Sequence, residues 1–449
     1  MSSLSLFQDL LNTISERGLR MLAPISGNTA SVQSLLDQCD ILLSNRGEAS
    51  GVAYARRVLS GYQQLDDEQC LEFYRELANR YHPDIDAVKK AADAYVAAPN
   101  PSNLADLLEA AAPPRQELFR RLNLAPGGTA VLVGLRKGML THLREEPALE
   151  AIENDLAYLF DSWFNRGFLV LKHVDWRTPA NVLEKIIEYE AVHEINGWKD
   201  LRRRVYPPDR RCFAFFHPAL GDEPLIFVEV ALTIEAPSAI AEVLDERDEN
   251  FDVEQARTAV FYSISNCQEG LRGVSFGNFL IKQVAELLAS ELPGIKTFVT
   301  LSPLPGFLRW LNTSPDDVAE DEVNNALASI TDDDWHTDPD KLKKARELLL
   351  PLAAFYLLEA KHDNNLPIDP VTRFHIGNGA SLDRINWLGD ISDRGLSQSA
   401  GIMVNYLYDL GKIEKNHEAY VDDGSIAASR SVRSEISQRV KTPQKSVNE

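Results

Sequence analysis

Two side chains that commonly move protons lie in short segments shaped by glycine and proline. Ser302 follows the strand-like run KTFVTL, and His375 lies between a proline-containing break and the turn Gly377–Gly379. A serine at a strand end projects toward the edge of a sheet where sites form, and a loop histidine can carry a proton near neutral pH. The pattern predicts a Ser–His pair for proton transfer, although a turn-forming serine and a structural histidine fit the same sequence. Ser302 is not in the Gly-x-Ser-x-Gly motif of hydrolases.

A glycine-rich segment upstream predicts an anion-binding loop. In CQEGLRGVSFGNFLIKQVAELL, a strand-like run (256–265) leads into Gly270, Gly273 and Gly277, and a helix is predicted to open near Asn278. Glycines let backbone N–H groups approach an anion, and a helix N-terminus supplies unpaired donors. The pattern suits a pyrophosphate, but a tight turn before a helix fits equally well. It is not a Walker loop, because no Gly-Lys-Ser/Thr follows.

These candidate residues need a sheet to bring them together, and the sequence predicts one only in its later part. Residues 1–165 show apolar positions at helical spacing, broken at prolines and glycines, with no alternating strand pattern. After Gly167, strand-like runs alternate with helical ones. The expected fold class is multi-domain α and α+β: an N-terminal all-helical bundle followed by a mixed α/β domain.

The chain therefore divides into three predicted regions. Residues 1–165 form the helical bundle, used for packing or assembly, and residues 166–424 form the domain with the candidate site. Residues 425–449 are Ser-rich, mildly basic and without apolar periodicity, so we expect a disordered tail.

The composition limits the kind of protein. The chain has 449 residues, four scattered cysteines and a formal net charge of −21. Such an acidic chain is not a general nucleic-acid binder, and a polyanionic ligand must be met by a local basic or dipolar site. The sequence shows no secretory signal, mitochondrial-type leader or apolar run of membrane length, which predicts a cytoplasmic protein without a membrane partner. Its His, Cys, Asp and Glu spacings predict no metal site.

Four separated blocks, in the same order, make the later part of the chain similar to one enzyme family. They are VHEINGWKDLRRRVYPPDRRCFAFFHP, GLRGVSFGNFLIK, LSPLPGF, and FHIGNGA followed by RINW. Together they resemble malonyl-CoA decarboxylases. The resemblance implies a GNAT-like catalytic domain that converts malonyl-CoA to acetyl-CoA and carbon dioxide, an N-terminal helical assembly domain, and a homo-oligomer, commonly a tetramer. The glycine-rich segment also loosely resembles the loop by which GNAT-type acetyltransferases hold the pyrophosphate of CoA.

The resemblance also implies which residues form the site. Ser302 and His375 align with the catalytic serine and histidine of the family, and Tyr408 aligns with a site tyrosine. The positions that align with the malonyl-CoA-binding loop are Arg272, Gly273, Val274, Ser275, Phe276, Gly277 and Asn278. Ser275 departs from the family pattern, which has glutamate there, so a carboxylate role at this position is absent or replaced.

The implied chemistry asks three things of the protein. Loss of carbon dioxide passes an electron pair into the thioester carbonyl, so the substrate carries its own electron sink and we expect no cofactor. The protein must hold CoA, stabilise the enolate oxygen and return a proton to carbon. Backbone N–H groups or the Asn378 amide are candidates for the enolate. We expect Ser302 to contact the carboxylate and relay a proton that His375 supplies; the opposite division of labour stays open.

Two other functions fit the same loop. An acyltransferase passes the acyl group to an amine and needs an acceptor, whereas a decarboxylase releases carbon dioxide from malonyl-CoA alone. A non-catalytic CoA sensor binds malonyl-CoA without forming product and without needing the Ser302 hydroxyl.

Overall fold

The computed structural model describes residues 31–44, 47–245, 251–274, 280–332, 334–363 and 365–436. The chain forms two compact units. The first contains Met1–Val170, Phe215–Leu225 and Cys267–Phe276; the second contains Leu171–Ala214, Ile226–Asn266 and Gly277–Glu449. The first unit thus takes up two short segments of the later sequence in addition to the predicted helical region.

The first unit is mainly helical, as the sequence predicts over the described residues. Helices α1 to α8 are Val32–Ser44, Glu48–Tyr62, Asp67–Arg80, Ile85–Ala97, Pro101–Ala111, Pro114–Asn123, Gly128–Leu140 and Glu150–Trp163. Asp66 shows how the sequence begins such a helix: its side chain accepts the N–H of Gln69, whose side chain accepts the N–H of Asp66. Helices α4 and α5 differ from the others in having no buried side chain. Residues 1–30 lie outside the described residues.

The second unit is built around a mixed sheet. Strands β1 to β8 are Val170–Val174, Arg210–Phe216, Pro224–Thr233, Thr258–Asn266, Thr297–Thr300, Ser302–Pro303, Ser381–Asn386 and Met403–Leu407. Their order is β1-β2-β3-β4-β5-β8-β6, and β7 also pairs with β8. Strands β4 and β5 are parallel, whereas β3 is antiparallel to β4 and β8 is antiparallel to β5, β6 and β7. The predicted mixed α/β domain is confirmed.

Burial explains why the central strands lack an alternating pattern. Every residue of β3, PLIFVEVALT, is buried, as is typical of a strand covered on both faces. Parallel neighbours such as β4 and β5 need a crossover, and the helix Leu280–Glu291 lies between them in the chain. Helices α9 to α19 are Ala180–Tyr189, Trp198–Val205, Ala241–Leu244, Leu280–Glu291, Phe307–Leu311, Glu320–Ala328, Pro339–Leu358, Pro370–Gly377, Asp393–Ser399, Ile413–Asp423 and Arg430–Ile436.

A bulge interrupts the pairing of β3 with β4. Glu229 pairs with Ser263 and Val230 with Phe261, so Tyr262 is an extra residue in β4. A bulge bends its strand and re-aims the side chain it carries, and bulges are frequent beside active sites.

The predicted disordered tail is wrong for residues 425–436. The N–H of Leu382 in β7 donates to the carbonyl of Ala427, and the N–H of Ser429 donates back to the carbonyl of Leu382. Helix α19 follows, with Val432 buried. These backbone bonds and the buried valine come from tertiary pairing, which a local polar composition does not reveal. Residues 437–449 lie outside the described residues. No helix among the described residues has the length and apolar character needed to cross a membrane.

Candidate active site

Ser302 and His375 are hydrogen-bonded to one another. Ser302 begins β6 directly after the end of β5, and its backbone pairs with Val404 of β8. His375 lies in α16. Ser302 Oγ and His375 Nε2 are 3.1 Å apart, and both side chains are buried. The structure thus places the predicted pair in contact at the end of a strand; its catalytic role stays a prediction.

The backbone setting of His375 differs from the predicted loop. Helix α16 begins after Asp369, whose side chain accepts the N–H of Thr372, and Pro370 occupies the first turn. The Asp-Pro sequence is therefore a helix start, not a break. His375 lies in the last turn, before Gly379 with its φ of +82°. The loop prediction was wrong because a cap and a breaker use the same residue types.

Burial also changes the expected charge of His375. It lowers the pKa of His375 to about 3, so the imidazole is neutral at pH 7. Nδ1 lies 2.9 Å from the hydroxyl of Tyr408, whose own pKa is raised by burial. Tyr408 therefore keeps its proton and is able to donate it to Nδ1. The expectation that His375 can take up an added proton near neutral pH is therefore wrong, because the ring at pH 7 is neutral and has a single N–H.

Ser302 has a second partner, Thr300, which the sequence analysis missed. Ser302 Oγ donates to Thr300 Oγ1 at 2.9 Å. A serine hydroxyl has one proton to donate, so the bond between Ser302 and His375 takes its proton from Nε2. This agrees with Nδ1 accepting from Tyr408. Residues i and i+2 of an extended chain point to one face, and that spacing in KTFVTLS is the signal that would have identified Thr300.

Tyr406 holds the ring of His375 from its face. The two ring centroids are 4.5 Å apart and the planes make an angle of 26°. The Tyr406 hydroxyl bonds to Thr372 Oγ1 at 2.8 Å, and Thr372 Oγ1 donates to Asp369 at 3.0 Å. The carboxylate that caps α16 thus also anchors the aromatic ring against which its histidine stacks.

The pair lies at the wall of a cavity of about 230 Å³. Two features of the lining matter: it is mostly apolar, and its described residues include no Lys, Arg, Asp or Glu. The lining residues are Val192, Phe261, Tyr262, Ile264, Asn266, Ser302, Pro303, Pro370, Val371, Phe374 and His375. The bulged Tyr262 belongs to this wall, and so does Asn266 at the end of β4. Asn266 is a further polar residue that the sequence analysis missed.

Asn378 is not in the described lining. Its Nδ2 donates to the carbonyl of Phe374 at 2.7 Å, at the end of α16. The structure therefore gives this nitrogen a part in ending the helix, and a role toward an enolate stays a prediction.

The glycine-rich segment is described as far as Val274. It contains a short 3-10 turn, Glu269–Leu271, and then Gly273 with φ +82°, a conformation that favours glycine. The remaining predicted loop positions lie outside the described residues: Ser275, Phe276, Gly277 and Asn278. The predicted helix opening near Asn278 lies there too, and α12 is described from Leu280.

Arg136 of α7 fastens the described part of this loop from within the first unit. Its side chain is buried and donates to the carbonyls of Gly270 at 2.7 Å and Arg272 at 2.9 Å. Glu153 of α8 accepts from the same guanidinium. The fit is close at Gly270, because an added Cβ would lie 2.0 Å from the carbonyl oxygen of Val133. Helical periodicity alone gave no signal for this contact.

Comparison with known proteins agrees with this architecture. The model of the malonyl-CoA decarboxylase C-terminal domain matches residues 167–446, and that of the N-terminal domain matches residues 81–164. The mitochondrial malonyl-CoA decarboxylase of Anser anser anser is 38% identical over 354 residues, which are 73% of this chain and 70% of the relative. That of Rattus norvegicus is 36% identical over 362 residues, 74% of this chain and 73% of the relative.

Solved structures give the same result. The crystal structure of malonyl-CoA decarboxylase from Rhodopseudomonas palustris has a TM-score of 0.86 and 52% identity, covering 90% of this chain and 99% of that chain. The structure from Agrobacterium vitis has a TM-score of 0.84 and 51% identity, with the same coverage.

The helical first unit and the mixed sheet, together with these matches, show that the chain is an enzyme. Its reaction class is that of a carboxy-lyase. The chain belongs to the malonyl-CoA decarboxylase family.

The neutral state of His375 has a measurable effect on stability. Its folded pKa of about 3 lies below the ordinary value of 6.5, so its contribution is complete above pH 6.5 and is lost as the pH falls from 6.5 toward 3. We expect this residue alone to cost about 2 kcal/mol of unfolding free energy between pH 7 and pH 5. Urea unfolding at both pH values should show a smaller loss for His375→Gln than for the wild type. Equal losses would contradict the buried neutral imidazole.

Proposed function

We propose that Ser302 and His375 carry out the proton transfer by which this chain converts malonyl-CoA to acetyl-CoA and carbon dioxide. The observation that supports this most directly is the 3.1 Å contact between Ser302 Oγ and His375 Nε2 at the wall of the cavity. With Nε2 protonated, the pair presents a proton donor and not an activated serine nucleophile. Such an arrangement suits quenching of a carbanion better than formation of an acyl-enzyme.

The size and polarity of the cavity suit the acyl end of the substrate. Pockets for whole drug-sized ligands are about 300–1,000 Å³, so a cavity of about 230 Å³ fits the malonyl group and not the whole of malonyl-CoA. An unpaired carboxylate is costly in apolar surroundings, and no cation in the described lining offsets that cost. Release of neutral carbon dioxide removes the localised charge, so this lining favours the decarboxylation transition state over the bound substrate.

The reaction balances with the groups present. The bond between the carboxylate carbon and the α carbon breaks, carbon dioxide leaves, and the electron pair becomes a thioester enolate. Asn266 and the Nε2–H of His375 are the side-chain donors of the described lining that suit the enolate oxygen. A proton from Nε2, directly or through Ser302, then goes to the α carbon. One proton taken up from solvent per turnover then restores the imidazole, while Tyr408 stays protonated beside Nδ1.

Removal of either member of the pair should stop this chemistry. We expect Ser302→Ala and His375→Asn to lower the turnover number about 10²–10⁴-fold, because the positioned proton donor is lost. Carbon dioxide and acetyl-CoA are measured with malonyl-CoA as the sole substrate, which also separates a decarboxylase from an acyltransferase. Ser399→Ala is the matched control, since Ser399 is buried but bonds only to backbone carbonyls of α17 and its end. Near-normal turnover in either dyad variant would refute the assignment.

We also propose that Arg272, Gly273, Val274 and the following positions to Asn278 bind the CoA pyrophosphate. The sequence resemblance and the left-handed Gly273 support this role. Arg136 then matters for substrate binding, because it fixes the backbone of Gly270 and Arg272 through their carbonyls.

Loss of Arg136 should therefore weaken binding more than it slows chemistry. We expect Arg136→Met to raise the KM for malonyl-CoA and the Kd for CoA about 10-fold, since two charge-assisted bonds to the loop disappear. Titration calorimetry with CoA and steady-state kinetics measure the two constants. Arg115→Met is the control. Arg115 is also buried in the helical unit and is paired with Asp155, but its hydrogen bonds go to other parts of that unit and not to the glycine-rich segment. An equal rise in Kd in both variants would mean that Arg136 supports the fold in general and does not specifically position the CoA-binding segment.

We further propose that the chain assembles into a homotetramer and that helices α4 and α5 contact a second copy. The two helices pack on each other, have no buried side chain, and leave apolar residues outward: Ile85 is 73%, Val96 78% and Leu108 64% exposed. Such a patch on a helical hairpin is typical of a protein contact surface.

The cellular location is a separate question. The names of the animal relatives place those proteins in mitochondria, and the cytoplasmic location of this chain stays a prediction.

Charge placed on this hairpin should split the assembly. We expect the wild type to have the mass of a tetramer in sedimentation velocity, and the double variant Val96→Glu, Leu108→Glu to shift to smaller species. Val421→Glu, on α18, is the control because Val421 is also a largely exposed apolar residue, at 63% against 64% for Leu108. A monomeric wild type, or a double variant that keeps the wild-type mass, would count against this surface.

A further inference from the structure

We propose that Thr300 is a positioning residue that sets the direction of the hydrogen bonds through Ser302 and His375, and thereby places the transferable proton on Nε2. The direction of these bonds is inferred from the hydrogen bond that Ser302 donates to Thr300. Its consequence for catalysis rests on the function proposed above.

Thr300 is held so that its hydroxyl oxygen is a fixed acceptor. The residue is fully buried at the end of β5, and its Oγ1 accepts the hydroxyl of Ser302 at 2.9 Å and the N–H of Tyr406 at 3.1 Å. Its carbonyl accepts Nδ2 of Asn405 at 2.6 Å. A β-branched side chain in a strand is stiff about χ1, and here both ends of the residue are fastened to β8. The acceptor therefore cannot turn away from Ser302.

A fixed acceptor on one side of Ser302 decides what happens on the other side. The only proton of the hydroxyl goes to Thr300, so the lone pairs of Ser302 face His375 and require a donor there. That donor is Nε2–H. The contact at Nδ1 is consistent with this tautomer. Within the described part of the chain, the Tyr408 hydroxyl lies at hydrogen-bond distance from Nδ1 and can donate to it.

The direction has a chemical consequence. With the chain of bonds running from Tyr408 through His375 and Ser302 to Thr300, the proton at the cavity wall belongs to the imidazole. If the hydrogen bonds ran in the opposite direction, Ser302 would donate to Nε2. That arrangement activates a serine as a nucleophile. Thr300 thus decides which of two functions the same Ser–His pair has: donating a proton, or forming an acyl-enzyme through an activated serine. A purely structural threonine would fill the strand without affecting the tautomer.

The experiment reads the tautomer directly and the activity separately. Protein with ¹⁵N-labelled histidine is compared as wild type, Thr300→Val and Thr300→Ser, and the His375 signals are identified by their absence in His375→Asn. We expect a protonated Nε2 and a bare Nδ1 in the wild type and in Thr300→Ser. In Thr300→Val the Ser302 proton turns to Nε2, and the imidazole proton moves to Nδ1. We expect kcat to fall about 10²-fold, less than the roughly 10⁴-fold loss in serine proteases when the histidine tautomer is wrong, and KM for malonyl-CoA to change less than about 2-fold.

The control is Thr233→Val, another buried threonine of the sheet, whose hydroxyl donates to the carbonyl of Glu235 and not to the pair. Its tautomer and kcat should match the wild type. The proposal is overturned if wild-type His375 carries its proton on Nδ1, whatever the activity, or if Thr300→Val keeps both tautomer and kcat. If Thr300→Val fails to fold, the spectra of the wild type and of Thr300→Ser test the proposal. A proton on Nδ1 of His375 in either protein would overturn it. If Thr300→Val shifts the proton from Nε2 to Nδ1 but the wild type releases no carbon dioxide from malonyl-CoA, the proposed function is rejected and the role of Thr300 in setting the tautomer remains.

Discussion

The burial of one neutral imidazole is the constraint on which the site depends. His375 lies where a charged ring would be strongly disfavoured, and it can remain there only with a hydrogen-bond partner at each nitrogen. Tyr408 supplies one partner, Ser302 supplies the other, and Tyr406 closes the ring face. The same burial that removes the charge leaves the two ring nitrogens to bond with protein groups, Ser302 at Nε2 and Tyr408 at Nδ1. A proton at such a site is placed by the protein and not by the solvent.

Strand β8 does most of this placement. It pairs with Ser302 and donates a backbone N–H to Thr300, and the two rings that contact His375 are Tyr406 within it and Tyr408 directly after it. Helix α16 brings the histidine to that strand, and its N-cap carboxylate reaches the Tyr406 hydroxyl through Thr372. Segments far apart in sequence therefore share one network. A change in any member alters the alignment of the pair as well as the local packing.

Much of this was predictable from local sequence, and the errors have specific physical causes. The strand ending before Ser302, the helical first region and the mixed sheet follow from periodicity, which records which face of an element is buried. His375 was misplaced because Asp369–Pro370 begins a helix with the same residue types that break one. Its charge was wrong because burial depends on β8, whose residues follow almost thirty positions later. The ordered segment 425–436 was missed because its partner is β7, not its neighbours in sequence.

The sequence by itself determined the residue types and their local geometry: a serine at a strand end, a histidine, a tyrosine in NYLYDL and a loop rich in glycine. Those choices limit the chemistry, since a Ser–His pair can either attack or protonate a substrate. Only the tertiary structure decided between these two possibilities. It placed Thr300 and Tyr408 at opposite ends of the buried pair, and from this arrangement we infer the proton on Nε2. The direction of a hydrogen bond depends on which groups are neighbours in three dimensions, so it cannot be predicted from the spacing of residues along the chain.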